Sequence, residues 1–127
     1  MFDWADYLKL AQELSGRSEE ACQRSAISRS YYALFNLALN WLFLRQRTLY
    51  SSVHSQPSSL HQALWQAFIG ASDPVWIDIG VLGFRLRDFR NRADYDNSIS
   101  RLPDVLATAI ADAEELRSLL DSLYSSK

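Results

Sequence analysis

Between Gly16 and Pro57 the chain contains neither glycine nor proline. A segment this long without a strong helix breaker predicts one helix of about seven turns, starting after Ser18 and ending near Arg45. Apolar side chains occur on nearly every side of this helix, so we expect other helices or a second subunit to surround it. These positions are Ile27, Tyr31, Tyr32, Leu34, Phe35, Ala38, Leu39 and Leu42.

Helical spacing of apolar residues recurs in the rest of the chain, and no segment alternates with period two over the length of a strand. Further helices are predicted at about residues 4–14, 60–69, 74–96 and 102–123. Ser58 or Ser59 can cap the second of these, and Asp73 followed by Pro74 is typical of a helix start. The polar segment from residue 46 to 57 is expected to be one long loop. The fold class is therefore predicted as all-α, an up-and-down bundle of about five helices forming one domain over residues 1–127.

Charge and composition limit the classes of function. A formal net charge of −2 argues against a generally basic surface, so any nucleic-acid site must be local. Cys22 is the single cysteine and fits a reducing compartment. The first ten residues lack the pattern of a signal peptide, and the apolar stretch Ala33–Leu44 is too short to span a bilayer. We expect a cytoplasmic protein that makes no membrane contact.

One helix concentrates positive charge. Its arginine side chains fall within about two turns, and the planar guanidinium group binds phosphate or carboxylate through two parallel hydrogen bonds. A solvated helix face balanced by nearby aspartates fits Arg85 and Arg92 equally well. The four arginines are Arg85, Arg87, Arg90 and Arg92.

A second group of polar residues follows at the end of this helix. Arg90 and Asp94 stand four residues apart on one face, with Asn91 and Tyr95 beside them. Arg29 lies inside the most apolar helix, where a buried arginine requires a carboxylate partner, either Asp94 or Asp96. We therefore expect a structural ion pair between Arg29 and Asp94.

Nothing in the sequence matches a phosphate loop, a dinucleotide fingerprint, a nucleophile elbow or a zinc helix motif. The two histidines, His54 and His61, have no partner that the sequence identifies, and such residues are more often solvated than catalytic. The common enzyme classes are therefore unsupported.

Two segments, SAISRSYYALFNLALNWL and LRDFRNRADYDN, resemble the signature of the HEPN family, in particular its small stand-alone bacterial and archaeal members. The resemblance rests on Ser-Arg-x-Tyr-Tyr-x-x-Phe at Ser28–Phe35 and on Arg-x-x-Ala-Asp-Tyr-Asp at Arg90–Asp96, and the helix order extends it over most of the chain. It implies an all-α bundle, commonly a homodimer, often encoded beside a minimal nucleotidyltransferase in toxin–antitoxin or defence systems.

Many HEPN domains are metal-independent ribonucleases whose composite site combines an arginine with a histidine a few residues later. The histidine acts as general base or acid, and the arginine stabilises charge on the phosphate. Arg90 and Asn91 match the arginine and the polar residue after it, but Asp94 or Tyr95 occupies the place of the histidine. This departure weakens the ribonuclease assignment and leaves the expected fold and arginines intact.

Two functions therefore stay open. The first is a homodimeric HEPN-type module that binds RNA, a nucleotide or a partner protein and needs no cofactor or metal. The second is a metal-independent endoribonuclease toxin in which Arg90 and Asp94 are catalytic. The homodimer is expected from the apolar perimeter of the long helix, which Trp41, Phe43 and Leu44 continue to its end. The residues expected to bind phosphate or ligand are Arg87, Arg90, Asn91, Arg92 and Tyr95.

Overall fold

The computed structural model describes residues 1–56 and 59–125, and within them the chain forms six helices and no strand. The all-α prediction is confirmed, and the expected number of about five helices is corrected to six. The helices are α1 (Ala5–Ser15), α2 (Glu20–Arg45), α3 (Arg47–His54), α4 (Leu60–Ile69), α5 (Pro74–Tyr95) and α6 (Leu102–Ser125).

The additional helix is α3, which occupies the segment predicted as one long loop. Its sequence is rich in serine but contains three apolar side chains, Leu49, Tyr50 and Val53, which pack against the core. Three such residues within two turns are enough to hold a short helix in place, although they are too few to show a period. Pro57, the expected end of the loop, and Ser58, one of two candidate caps for α4, lie outside the described residues.

Local chemistry sets the start of α4 and of α5 where the sequence predicts it. The Asp73 carboxylate accepts a hydrogen bond of 2.8 Å from the backbone N–H of Val75, and Pro74 is the first helical residue. At α4, the Ser59 hydroxyl accepts from the backbone N–H of Gln62 at 3.4 Å. Each cap satisfies an N–H group that has no partner inside its helix.

The long helix α2 lies at the centre of the bundle and packs against α1, α3, α5 and α6. Its apolar perimeter is therefore covered largely within the chain, in part by α3. Trp41 is only 4% exposed, whereas Phe43 and Leu44 are 37% and 63% exposed. The homodimer stays a prediction that rests on these two side chains and on the family resemblance.

Two glycines let α5 cross α4 at close range. A Cβ atom at Gly80 would lie 2.8 Å from the carbonyl oxygen of Trp65, and one at Gly83 would overlap the Trp65 ring. Only glycine leaves room for this contact. Because α4 and α5 carry the side chains of the site described below, this crossing positions them. None of the described helices has both the length and the apolar character needed to cross a membrane.

Candidate functional site

The four arginines of α5 do not form one patch, because they lie on two faces of the helix. Arg85 and Arg92 are seven residues apart and share one face, whereas Arg87 and Arg90 share the other. The Arg85 guanidinium donates to both carboxylate oxygens of Asp112 on α6, at 3.1 and 2.8 Å. Arg85 is 54% exposed, as expected for a solvated face, and its partner Asp112 on α6 is a carboxylate that is only 7% exposed.

Arg90 is buried, with 7% of its surface exposed. One terminal nitrogen donates to the Tyr32 hydroxyl at 3.0 Å and lies 3.9 Å from the Asp94 carboxylate. The guanidinium carbon stands 5.2 Å from the ring centres of both Tyr31 and Tyr32. Its Nε atom is buried and has no hydrogen-bond partner within the described residues. The charge of Arg90 is therefore held by aromatic faces and one distant carboxylate, which leaves donor capacity unused.

Arg87 lies one turn before Arg90 on α5 and also contains a buried, unsatisfied donor. Its Nε atom is also buried without a partner in the described part of the chain. Its closest polar contact runs from a terminal nitrogen to the Ser59 hydroxyl at 3.5 Å, the outer limit of a hydrogen bond. An unsatisfied buried donor is costly, so two of them on arginines one turn apart favour an acceptor that the described residues do not supply.

His61 faces these arginines from α4. Its ring stacks on Phe35, with centroids 4.1 Å apart and planes inclined by 20°. Its Nδ1 atom lies 2.7 Å from the Tyr31 hydroxyl, which accepts a hydrogen bond of 3.1 Å from the indole N–H of Trp65. The arrangement that uses every group has Tyr31 donating to Nδ1, which leaves the proton of the neutral imidazole on Nε2.

These side chains form an arginine–histidine cluster, defined here as Tyr31, Tyr32, His61, Arg87 and Arg90. Burial, reinforced by the positive charges of Arg90 and Arg87, lowers the pKa of His61 to about 4. Burial raises the pKa of Tyr31 to about 12. At pH 7 His61 and Tyr31 are therefore neutral, and the two guanidinium groups have one ion-pair contact among the described residues, with Asp94 at 3.9 Å, a balance that favours an incoming anion.

The lowered pKa of His61 predicts a pH-dependent stability. Between about pH 6.5 and pH 4 the unfolded chain takes up a proton that folded His61 rejects, so the free energy of unfolding should fall as the pH falls through this window. Urea denaturation at about pH 7 and about pH 5 measures the loss. The loss should be smaller in His61→Gln than in the wild type. His54→Gln, at an exposed position, should behave as the wild type, and equal losses in all three proteins would contradict the burial of His61.

The predicted ion pair between Arg29 and Asp94 is not formed. The Arg29 Nε atom donates to the Ser25 hydroxyl at 3.1 Å, and its guanidinium carbon lies 5.5 Å from the ring centre of Tyr7. Asp94 instead has its ion-pair contact with Arg90 on its own helix, at 3.9 Å. The prediction assumed a buried Arg29, but its position at a groove lets the side chain lie along a tyrosine ring.

A different arginine connects α2 to the end of α5. One terminal nitrogen of Arg24 donates to the backbone carbonyl oxygens of Ala93 and Asp96, at 3.0 and 2.6 Å. Its Nε atom donates to Glu20 at 2.9 Å. A cation is favoured here because the last carbonyl groups of a helix lack internal partners. Asp96, the alternative partner for Arg29, thus contributes its backbone and not its carboxylate.

The remaining predicted ligand residues differ in their position relative to the cluster. Asn91 follows Arg87 by one turn on the same face and is partly buried, whereas Tyr95 is 74% exposed at the end of α5. Arg92 lies on the opposite face. The contacts of His61 and Trp65 with Tyr31 were not predicted from the sequence, although their spacing of four residues on a short apolar helix places both side chains on one face. Nothing in the linear sequence indicates that this face meets Tyr31.

Comparison of the chain with protein-family models, with curated proteins and with solved structures gave no match. The geometry of the cluster and the two short motifs are therefore the features that indicate a function. Within residues 1–56 and 59–125, no group of three or more His, Cys, Asp or Glu side chains is placed to hold a metal ion.

Proposed function

We propose that this chain is a HEPN-type module that binds phosphate groups of RNA or of a nucleotide at Arg87 and Arg90. The supporting observation is the pair of buried, unpaired Nε donors on two neighbouring arginines. A phosphate oxygen accepts the parallel hydrogen bonds that a guanidinium offers, and it supplies the negative charge that the cluster lacks. A terminal phosphate of a nucleotide offers these guanidinium groups more oxygens and more charge than a carboxylate of a partner protein does, whereas a phosphodiester of RNA equals the carboxylate in both.

The rest of the surface limits how much nucleic acid this site holds. The chain has a formal net charge of −2, and Arg85 is neutralised by Asp112. Among the described residues Arg90 has one ion-pair contact, at 3.9 Å, and Arg87 has none, so this pair is a local source of positive charge on a chain of negative net charge. Binding should depend on salt with a slope that reflects a few phosphates and not a long backbone track.

The assembly and cellular role belong to the same proposal and rest on the motifs at Ser28–Phe35 and Arg90–Asp96. The module acts as a homodimer in the cytoplasm, within a toxin–antitoxin or defence system that includes a minimal nucleotidyltransferase. The exposed Phe43 and Leu44 support the dimer, since large apolar side chains at a surface favour association.

The test is a titration of a short labelled single-stranded RNA at two salt concentrations. Arg90→Gln should weaken binding by about tenfold or more, as expected for the loss of charge-assisted hydrogen bonds. Arg92→Gln makes the same change on the opposite face of α5 and should retain affinity within about twofold. Thermal unfolding of both variants separates lost binding from lost folding.

Two results would contradict the phosphate site. Equal affinity in all three proteins would place RNA elsewhere. If the wild type binds no RNA even at low salt, the arginine face instead serves to dock a protein.

The second candidate function, metal-independent cleavage of RNA, is favoured by the position of His61 in the cluster. A bound phosphate would offset the charges of Arg87 and Arg90, raise the pKa of His61 and make it a better base toward a 2′-hydroxyl. The expected pairing of Arg90 with Asp94 as catalytic groups stays a proposal beside it. The test adds the variants His61→Gln and Asp94→Asn to the same set of proteins and incubates each with RNA in the presence of a chelator. The variant that no longer cleaves the RNA identifies the residue that cleavage requires.

A further inference from the structure

A groove of about 580 Å³ opens next to the cluster, between the start of α1, the first half of α2 and the last turn of α5. Its volume falls in the range of small-molecule sites. Tyr32 belongs to both places, because it lines the groove and its hydroxyl accepts the hydrogen bond of 3.0 Å from Arg90. A ligand held by phosphate at Arg90 can therefore extend into this groove.

The walls of the groove are aromatic. Trp4 and Tyr7 pack edge to face, with ring centroids 5.2 Å apart and planes at 89°, and Tyr32 lines the groove with them. Arg29 lies over Tyr7 and adds a second flat surface. Aromatic rings and planar guanidinium groups are the surfaces on which unpaired bases stack. The walls therefore fit a flat heteroaromatic ring.

Besides the cations Arg24 and Arg29, the groove contains side-chain acceptors on Asn36 and Asp94. The Asn36 side-chain nitrogen donates one of its two hydrogens to the backbone oxygen of Tyr32 at 2.9 Å, which leaves the carbonyl oxygen and one N–H for a ligand. The Asp94 Oδ2 atom accepts a long hydrogen bond of 3.4 Å from Ser28 and lies 3.9 Å from the Arg90 guanidinium, so the lone pairs of Oδ1 stay available to a ligand. A ring that binds against these two oxygens must present N–H donors.

The charges in the groove favour a neutral N–H donor over a cationic one. A guanidinium group of a partner protein would also satisfy Asp94, but Arg24 and Arg29 line the same groove and repel a cation. A neutral ring avoids this cost. Among the bases, guanine presents two adjacent N–H donors on its Watson–Crick edge, which one carboxylate can accept together.

We propose that the groove binds the base of a guanine nucleotide, stacked against its aromatic wall and read by Asp94 and Asn36. The inference rests on the proposed phosphate site, which holds the other end of the same nucleotide. It gives the module a preference among bases that phosphate contacts alone do not provide.

Calorimetric titration with 5′-GMP and 5′-AMP tests the inference. The wild type should bind GMP about tenfold more tightly than AMP, the discrimination expected of a bidentate contact to one base edge. Asp94→Asn exchanges an acceptor for a donor and should bring this ratio close to one. Asp104→Asn makes the same change at an exposed position on α6 and should keep the ratio. Asn36→Leu should reduce it as a second, uncharged variant.

The outcomes separate the base site from the phosphate site. Equal affinity of the wild type for GMP and AMP, with both lost in Arg90→Gln, would overturn the base site and leave the phosphate site standing. A GMP preference that survives in Arg90→Gln with unchanged affinity would support the groove and overturn the phosphate site. No binding of either nucleotide at low salt would overturn the guanine proposal.

Discussion

Gly83→Ala should lose about 3 kcal/mol of unfolding free energy, because the added methyl group would overlap the indole of Trp65. Alanine favours a helix over glycine by about 1 kcal/mol, so the steric cost outweighs the gain in propensity. Relief of the overlap requires α4 to move away from α5, which would also separate His61 from Arg87 and Arg90. Urea denaturation measures the stability, and RNA titration of the folded fraction measures the site.

Gly16→Ala is the matched control for this substitution. A Cβ atom there would lie 3.5 Å from the nearest backbone oxygen, an ordinary contact. Its stability should stay within about 0.5 kcal/mol of the wild type. If Gly83→Ala behaved the same way, α4 and α5 would have to be farther apart than the structure shows.

The ion pair between Arg85 and Asp112 should respond unequally to the loss of its two members. Asp112 is 7% exposed and Arg85 is 54% exposed. Arg85→Met would leave a buried carboxylate without a partner and should cost about 3 kcal/mol. Asp112→Leu would leave an arginine that can turn into water and should cost less than about 1 kcal/mol.

The double variant Arg85→Met/Asp112→Leu completes the cycle. Because the buried charge is gone, it should recover most of the stability lost in Arg85→Met. Chemical denaturation of the four proteins measures both effects. Two equally small losses would show that Asp112 is reached by water.

The long elements of this fold were predictable because each carries its own boundary signal. The absence of breakers predicted α2, and Asp73 with Pro74 predicted the start of α5. The short helix α3 was not predictable, because it has only three apolar residues, Leu49, Tyr50 and Val53, among a larger number of polar ones. Its stability depends on packing against neighbouring helices, which the sequence does not reveal.

The candidate site was predictable only in part. Sequence spacing alone separates Arg87 and Arg90 from Arg85 and Arg92, and the motif resemblance singled out Arg90. The choice of partner for Asp94 depended on tertiary geometry, because its own helix offers Arg90 at the same time as α2 offers Arg29. His61 belongs to the site through the crossing of α4 over α5, which depends on two glycines that no local pattern marks as a contact.

The central position of α2 has a consequence for synthesis of the protein. Two of the helices that enclose it, α5 and α6, come much later in the chain, and a ribosome adds about 5–20 residues per second. For several seconds the apolar sides of α2 around Leu34 and Ala38 have no partner from those helices. The nascent chain therefore exposes the apolar surface of α2 to chaperones and to neighbouring nascent chains. This helix is the segment at greatest risk of aggregation before folding is complete.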